Sequence, residues 1–218
     1  MRNKKLLNEL VERYPALADV ATSIEQAADV MIESYRNGGK LLICGSGGSA
    51  SDALHIVGEL MKSFVQDRFL DKDFCRKLED VAGEDLNYLV ENLEGALPAI
   101  ALVENSALDT AFSNDVAGDL SFAQQTYGYG NAGDVLLAIS TSGNSRSGVL
   151  AAKVALAKDM KIISLTGVGG GKLGQMADVS IAVPLKETYQ VQELHLPIYH
   201  ALCLILEDEF FGTEGAEA

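Results

Sequence analysis

The chain has 218 residues, and its 17 Lys and Arg stand against 31 Asp and Glu, for a net charge of -14. That balance argues against a reader of phosphate backbones, which needs a basic face, so any anionic ligand must be caught by local groups. No uninterrupted apolar run approaches the roughly 20 residues of a membrane span, and the opening MRNKKLLNELVERY turns polar too soon for a secretory core, so a soluble, cytoplasmic protein without membrane or nucleic-acid partners is expected.

The length favours one compact unit over residues 1–218. Over 6–14 and again over 17–35 apolar residues recur every three or four positions (Leu17, Val20, Ile24, Ala28, Met31, Tyr35), which predicts N-terminal helices within 1–37. Pro15 stands where the second could begin. The run at 41–44 is too brief for a helix and is bounded by glycines, so it predicts a buried strand. Similar runs follow at 99–103, 134–140, 161–166 and 179–183, with helical stretches at 49–63, 106–114, 120–127, 144–158 and 188–211 between and after them. Strands alternating with helices predict a parallel sheet covered on both faces.

Residues 65–97 break the alternation. Phe74, Leu78 and Val81, then Leu86, Leu89, Val90 and Leu93, form two amphipathic stripes parted at Gly83, which predicts a helical insertion that covers a pocket, forms a subunit contact or merely embellishes the surface. The tail GTEGAEA is expected to fray. Cys44, Cys75 and Cys203 are odd in number and in no CxxC spacing, so reduced thiols packed as small apolar groups are expected.

Two loops carry chemistry. A strand, then Gly45-Ser46-Gly47-Gly48-Ser49, then a helix places backbone N–H groups and hydroxyls where a helix dipole favours an anion. GSGGSA also matches the dinucleotide pattern GxGxxA, but the next predicted strand comes much too late and ends in Val103 rather than an acidic residue, which argues against a nicotinamide cofactor. Residues 140–145, STSGNS, repeat the strand-loop-helix grammar with Ser140, Thr141, Ser142, Asn144 and Ser145. One such turn reads most simply as a helix cap; two in one parallel sheet can face a single crevice beyond the strand ends. TGVGGGKL looks like a Walker loop but has Thr166 in the first glycine position and Leu173 in the Ser/Thr position, and is set aside.

The three histidines fall in two segments. His55 and Glu59, four apart, share one face of the helix leaving the first loop. YQVQELHLPIYH supplies Gln192, Glu193, His195 and His200; Gln192 and His200 are eight residues apart, about 80° around an ideal helix, and Pro197 would bend the path between them. A carboxylate with an imidazole can act as a general acid/base pair on a sugar. Two imidazoles, a carboxylate and an amide oxygen can instead hold a divalent metal, zinc being plausible, and buried structural histidines are the third alternative. Spacing leaves these open.

At these residues the sequence resembles the sugar isomerase (SIS) domain proteins, specifically the sedoheptulose 7-phosphate isomerases, also called phosphoheptose isomerases. The motifs CGSGGSASDALHIVGEL, NDVAGDLSFAQQ, GDVLLAISTSGNS, KIISLTGVGGGKL and VQELHLPIYHAL carry the resemblance in this order, over most of the chain outside the first helices and the insertion. It implies a flavodoxin-like three-layer α/β/α sandwich, a homotetramer with active sites between subunits, and conversion of a ketose phosphate to an aldose phosphate without an organic cofactor. By matching positions it implies Glu59 as catalytic base and His200 as its acid/base partner. It places substrate binding at Ser46, Gly47, Ser49, Asp115, Ser140, Thr141, Ser142, Ser145 and Gln192. Some members carry zinc, whose ligand positions fall on His55, Glu59, Gln192 and His200; His195 matches no role. The family's usual asparagine in the first loop is Ser46 here, the usual acidic residue three positions before Gln192 is Tyr189, and the insertion is longer than in compact members. A non-catalytic relative, the DnaA initiator-associating protein, resembles the same family without the acid/base pair, and retention of Glu59 and His200 favours catalysis.

Overall fold

The computed structural model describes residues 2–212, so the expected fraying of the tail falls, beyond Gly212, outside the described residues. Helix α1 (Arg2–Arg13), a 3-10 turn (Pro15–Val20) and α2 (Ala21–Arg36) open the chain. Pro15 sits at the first turn of the 3-10 segment, where its missing N–H costs no hydrogen bond.

Five strands follow, β1 (Leu41–Cys44), β2 (Ala99–Ala101), β3 (Val135–Ser140), β4 (Lys161–Thr166) and β5 (Val179–Ala182). They form one sheet of order β2-β1-β3-β4-β5, with every pairing parallel. Between them run α3 (Gly48–Met61), α4 (Lys72–Glu79), α5 (Leu86–Asn92), α6 (Ser106–Phe112), α7 (Ser121–Tyr129), α8 (Arg146–Ala157) and α9 (Gly171–Met176), and α10 (Thr188–Phe211) closes the fold. This is the three-layer sandwich with the flavodoxin-like strand order, in which the switch point lies between β1 and β3.

The unbroken apolar strands are explained by burial on both faces. Leu41, Ile43, Val135, Leu137 and Ile139 pack into the core that includes α1, α2, α3 and α10. The alternate residues Leu42, Cys44, Leu136, Ala138 and Ile162 pack instead with Val149, Ala152 and Ala155 of α8 and Leu173 of α9. Successive side chains of a strand point to opposite faces, so both parities must be apolar. Cys44 and Cys203 are buried and unpaired, Cys75 partly buried, and burial pushes the Cys44 thiol up to about 12.

Three local features differ from the sequence expectation. Helix α9 was not anticipated, because GVGGGKLGQM reads as a loop; Gly169, Gly170 and Gly171 do take positive φ, but the chain then turns helical and anchors on fully buried Leu173. The expected 106–114 helix ends at Phe112 and passes into a π turn, Ser113–Ala117. Pro197 lies inside α10, which the structure carries through as one helix of 24 residues.

Helices α4 and α5 bury none of their residues, and Asp71 caps α4 by accepting from Phe74 N at 2.8 Å. The excursion they form is closed at its base, where Gly95 N donates to Arg68 O at 2.8 Å and Leu97 N to Leu60 O at 3.0 Å. Beneath it lies a fully buried ion pair. Glu207 Oε1 accepts from Arg68 Nε at 2.8 Å and Phe64 N at 2.8 Å, and Oε2 from Val65 N at 2.9 Å and Gln66 N at 3.2 Å. Arg68 also donates from Nη1 to Leu60 O and from Nη2 to Glu59 O, both at 2.8 Å, at the C-terminal end of α3.

Candidate active site

Both glycine-serine loops leave the carboxyl ends of adjacent strands, β1 and β3, at the switch point. The first turns so tightly that a Cβ on Gly45 would stand 2.4 Å from Ser49 O, and Gly47 takes φ 62°. Ser46, Gly47 and Gly48 are exposed and Ser49 is buried. No side chain caps the helix behind this loop, and none caps α8 behind the second. The simple capping explanation of the serines therefore fails at both helices.

In the second loop Ser140 is buried, Thr141 and Ser145 are half-buried and Ser142 is exposed. Gly143 has φ 65°, and its N donates to Ser140 O at 2.9 Å. The glycine run after β4 braces it: Gly167 N donates to Thr141 O at 2.9 Å, Leu173 N to Gly143 O at 3.0 Å, and Lys172 N to Asn144 Oδ1 at 3.2 Å. The sequence that resembled a Walker loop is thus a backbone support for its neighbour.

The titratable groups gather between α3 and α10. His55 Nε2 lies 3.1 Å from Glu59 Oε1 and its Nδ1 3.0 Å from the Tyr199 hydroxyl. The His55 and His200 rings meet edge-on with centroids 5.0 Å apart, and Phe64 closes over His200 at 5.5 Å. Glu59 Oε2 and His200 Nε2 are buried without a hydrogen-bond partner; the exposed Lys62 ammonium approaches Oε2 only to 3.9 Å. Such orphaned atoms, one acidic and one imidazole, are what a site keeps for a reacting molecule. Burial, helped by the neighbouring His55, holds the His200 pKa below the usual histidine range, against the pull of Glu59, so the ring is neutral at neutral pH. His195 sits three residues after Gln192 but is fully buried, and burial pushes it down to about 4 against an opposing Thr166 backbone contact.

The structure therefore brings Glu59, His55 and His200 together between α3 and α10. The Gln192 amide packs on the first loop, where a Cβ on Gly48 would stand 2.5 Å from its Nε2. Eight residues separate it from His200, about 12 Å of helix axis. Among the described residues no three His, Cys, Asp or Glu side chains are disposed as a metal-holding group. Asp115 lies exposed on the π turn with Asn114 Nδ2 donating to it at 2.8 Å, and makes no hydrogen bond to either loop. Sequence reasoning missed Tyr199, Asp52 and Arg68. Asp52 stands three residues before His55, a spacing that could have flagged it, whereas nothing in the local sequence signals Tyr199 or Arg68.

A family model described as SIS domain matches residues 7–78 and 77–167. The phosphoheptose isomerase of Rhodospirillum rubrum is 38% identical over 192 residues, 88% of either chain. The chain belongs to the phosphoheptose isomerase family. Solved structures agree: the phosphoheptose isomerase from Neisseria gonorrhoeae is 33% identical with a TM-score of 0.70, covering 95% of this chain and 94% of its own. That from Francisella tularensis is 31% identical with a TM-score of 0.72, covering 95% and 99%. In this phosphoheptose isomerase family member the departures noted in the sequence fall around the loops and Gln192, with Ser46 and Tyr189 both exposed, and leave the Glu59–His200 cluster intact.

Proposed function

We propose that this chain interconverts sedoheptulose 7-phosphate and D-glycero-D-manno-heptose 7-phosphate through an enediol. The observation that carries the mechanism is the pairing of buried, unpartnered Glu59 Oε2 with buried, unpartnered His200 Nε2 in one cluster. The phosphate is held by backbone N–H groups and hydroxyls of Ser46, Gly47 and Ser49 and of Ser140, Thr141, Ser142 and Ser145, at the starts of α3 and α8. Gln192, resting on Gly48, and Asp115 contact the sugar hydroxyls.

Glu59 Oε2 takes a proton from C1 of the ketose, and the C1–H electron pair forms the enediol double bond as C2=O becomes C2–OH. Returning that proton to C2 yields the aldose. His200 takes the O1 proton and delivers one to O2, so the ring ends as it began; a neutral imidazole near the operating pH suits this exchange. If zinc binds, His55, Glu59, Gln192 and His200 would hold it, and it would polarise the sugar oxygens; stoichiometric zinc in the purified protein, lost together with activity on chelation, tests this.

The reading includes a homotetramer with sites between subunits, supported by large apolar side chains left exposed on one chain, among them Phe69 at 84% and Val81 at 79%. A sedimentation measurement showing a monomer at assay concentration would contradict it. Among the described residues no helix is long and apolar enough to cross a membrane, and the unpaired buried cysteines support a cytoplasmic setting. Glu59→Gln tests the mechanism: it should abolish both turnover and exchange of the substrate C1 proton with deuterated solvent, and full turnover would refute the assignment of Glu59 as base.

A further inference from the structure

A cationic cleft opens on the sheet face opposite the acid/base cluster. Val149 of α8 and Leu173 of α9 pack on that face, whereas α3 and α10 pack on the other. Between α8 and α9 the cleft measures about 410 Å³, within the range of about 300–1,000 Å³ of small-molecule sites. Arg146, Lys153 and Lys172 stand exposed in it, and among the described residues no Asp or Glu lines it, although acidic residues outnumber basic ones 31 to 17 in the chain. Arg146 is paired with Asp119, which lies outside the lining. The Lys153 and Lys172 ammonium groups have no ion-pair partner among the described residues. Val149, Leu150 and Met176 form an apolar wall, and the Asn144 and Gln175 amides stand beside it.

The glycine run that resembled a Walker loop leads into α9 but offers this cleft no backbone cradle. Gly170 N, Gly171 N, Lys172 N and Leu173 N are already spent on Gly167 O, Gly169 O, Asn144 Oδ1 and Gly143 O. A ligand is therefore met by side chains, and their chemistry selects it. Two unpaired ammonium groups suit two anionic phosphates, each contact being charge-assisted. The apolar wall suits a flat, weakly polar body, against which the Met176 thioether can lie. Two amides, each both donor and acceptor, suit the hydrogen-bonding edge of a base.

We propose that the cleft between α8 and α9 binds a nucleoside diphosphate, with the diphosphate on Lys153 and Lys172 and the base on Val149, Leu150 and Met176. Asn144 joins this site to the second loop: its Nδ2 donates to Ser142 O at 2.8 Å and its N to Ser142 Oγ at 3.2 Å, while its Oδ1 accepts from Lys172 N at 3.2 Å. With one residue between the two anion sites, their charges are only partly screened from each other. Sugar phosphate and nucleotide therefore weaken each other's binding by one common factor. That coupling rests on the isomerase reading; the site itself does not.

The test titrates the full-length protein by calorimetry with ADP, inorganic pyrophosphate and adenosine in turn. ADP should bind, and pyrophosphate, which lacks the base, about tenfold more weakly. Lys153→Gln and Lys172→Gln should each weaken ADP about tenfold, the worth of one charge-assisted contact. Leu150→Ala should weaken ADP and leave pyrophosphate unchanged. Both lysines are exposed, so Tm should hold in these variants, and Lys153→Gln should keep the wild-type kcat and KM when no nucleotide is present. In the wild type, added ADP should raise KM to a plateau. No ADP binding, or binding that both lysine variants leave unchanged, overturns the proposal. Pyrophosphate binding as tightly as ADP overturns the nucleoside assignment, and a KM that climbs without limit overturns the location by putting ADP in the substrate loops. A protein that binds ADP as described but turns over no heptose phosphate sinks the isomerase reading and leaves this site standing.

Discussion

Replacing Glu207 by Gln tests how the end of α3 is held. The side chain keeps its size, so no cavity opens; what changes is one charge and two acceptor sites. If the amide oxygen keeps the Oε1 position, it still accepts from Phe64 N and Arg68 Nε, but an NH2 group then faces Val65 N and Gln66 N, donor against donor. Each buried N–H left unsatisfied costs about 1–3 kcal/mol, and breaking a buried ion pair from one side about 3–5 kcal/mol. These overlap, so a total of about 3–5 kcal/mol is expected, which lowers Tm by roughly 6–20 °C for a chain of this size. Urea and thermal unfolding of wild type, Glu207→Gln and the double variant Arg68→Met/Glu207→Leu measure it. The double variant should be no more stable than Glu207→Gln, because although it removes both charges together it leaves Phe64 N, Val65 N and Gln66 N and the Leu60 and Glu59 carbonyls without their side-chain partners. A loss below about 1 kcal/mol for Glu207→Gln would refute the reasoning, since it would mean that water or another group replaces the carboxylate.

Other expectations are as specific. His195 has a folded pKa depressed to about 4; below the ordinary value the unfolded chain binds a proton that the native ring refuses. Stability should therefore fall as pH drops from about 6.5 towards 4, by up to about 1.4 kcal/mol per unit, and urea midpoints of His195→Gln should lose that share of the acid dependence. Gly143→Ala would put a Cβ 2.0 Å from the Gly170 carbonyl oxygen at a residue with φ 65°, so both loops must shift; a stability loss above about 2 kcal/mol and loss of phosphosugar binding by calorimetry are expected. Gly48→Ala meets only the end of the Gln192 side chain, so it should leave Tm nearly unchanged while raising KM.

The parallel sheet and the two loops were legible because each strand is a short apolar run stopped by glycine, and the loops repeat one grammar. Helix α9 was illegible because three glycines with positive φ lead into it, Gly171 being its first residue, and its anchor, Leu173, gains meaning only from the core it enters. Periodicity puts Gln192 and His200 on one broad side of α10, but an azimuth says nothing of what each side chain meets, so the packing of Gln192 on the first loop could not be read from it. Tyr199 escaped notice for a related reason: its partners His55 and Asp52 lie on α3, 144 residues away in the first case, and no local pattern records a contact between helices. Arg68 and Glu207 look like ordinary surface charges until the fold encloses both.

The closed base of the α4–α5 excursion has a consequence for how this protein can change over generations. Since Arg68 and Gly95 already touch through their backbones, and α4 and α5 lend no side chain to the interior, the chain between them can change in length without opening the core of its own subunit, at a closure cost that grows only slowly, as long as the apolar side chains offered to a neighbouring subunit are kept. Mutational drift can remodel this outcrop while the α/β body beneath it keeps its sheet, its loops and its acid/base cluster.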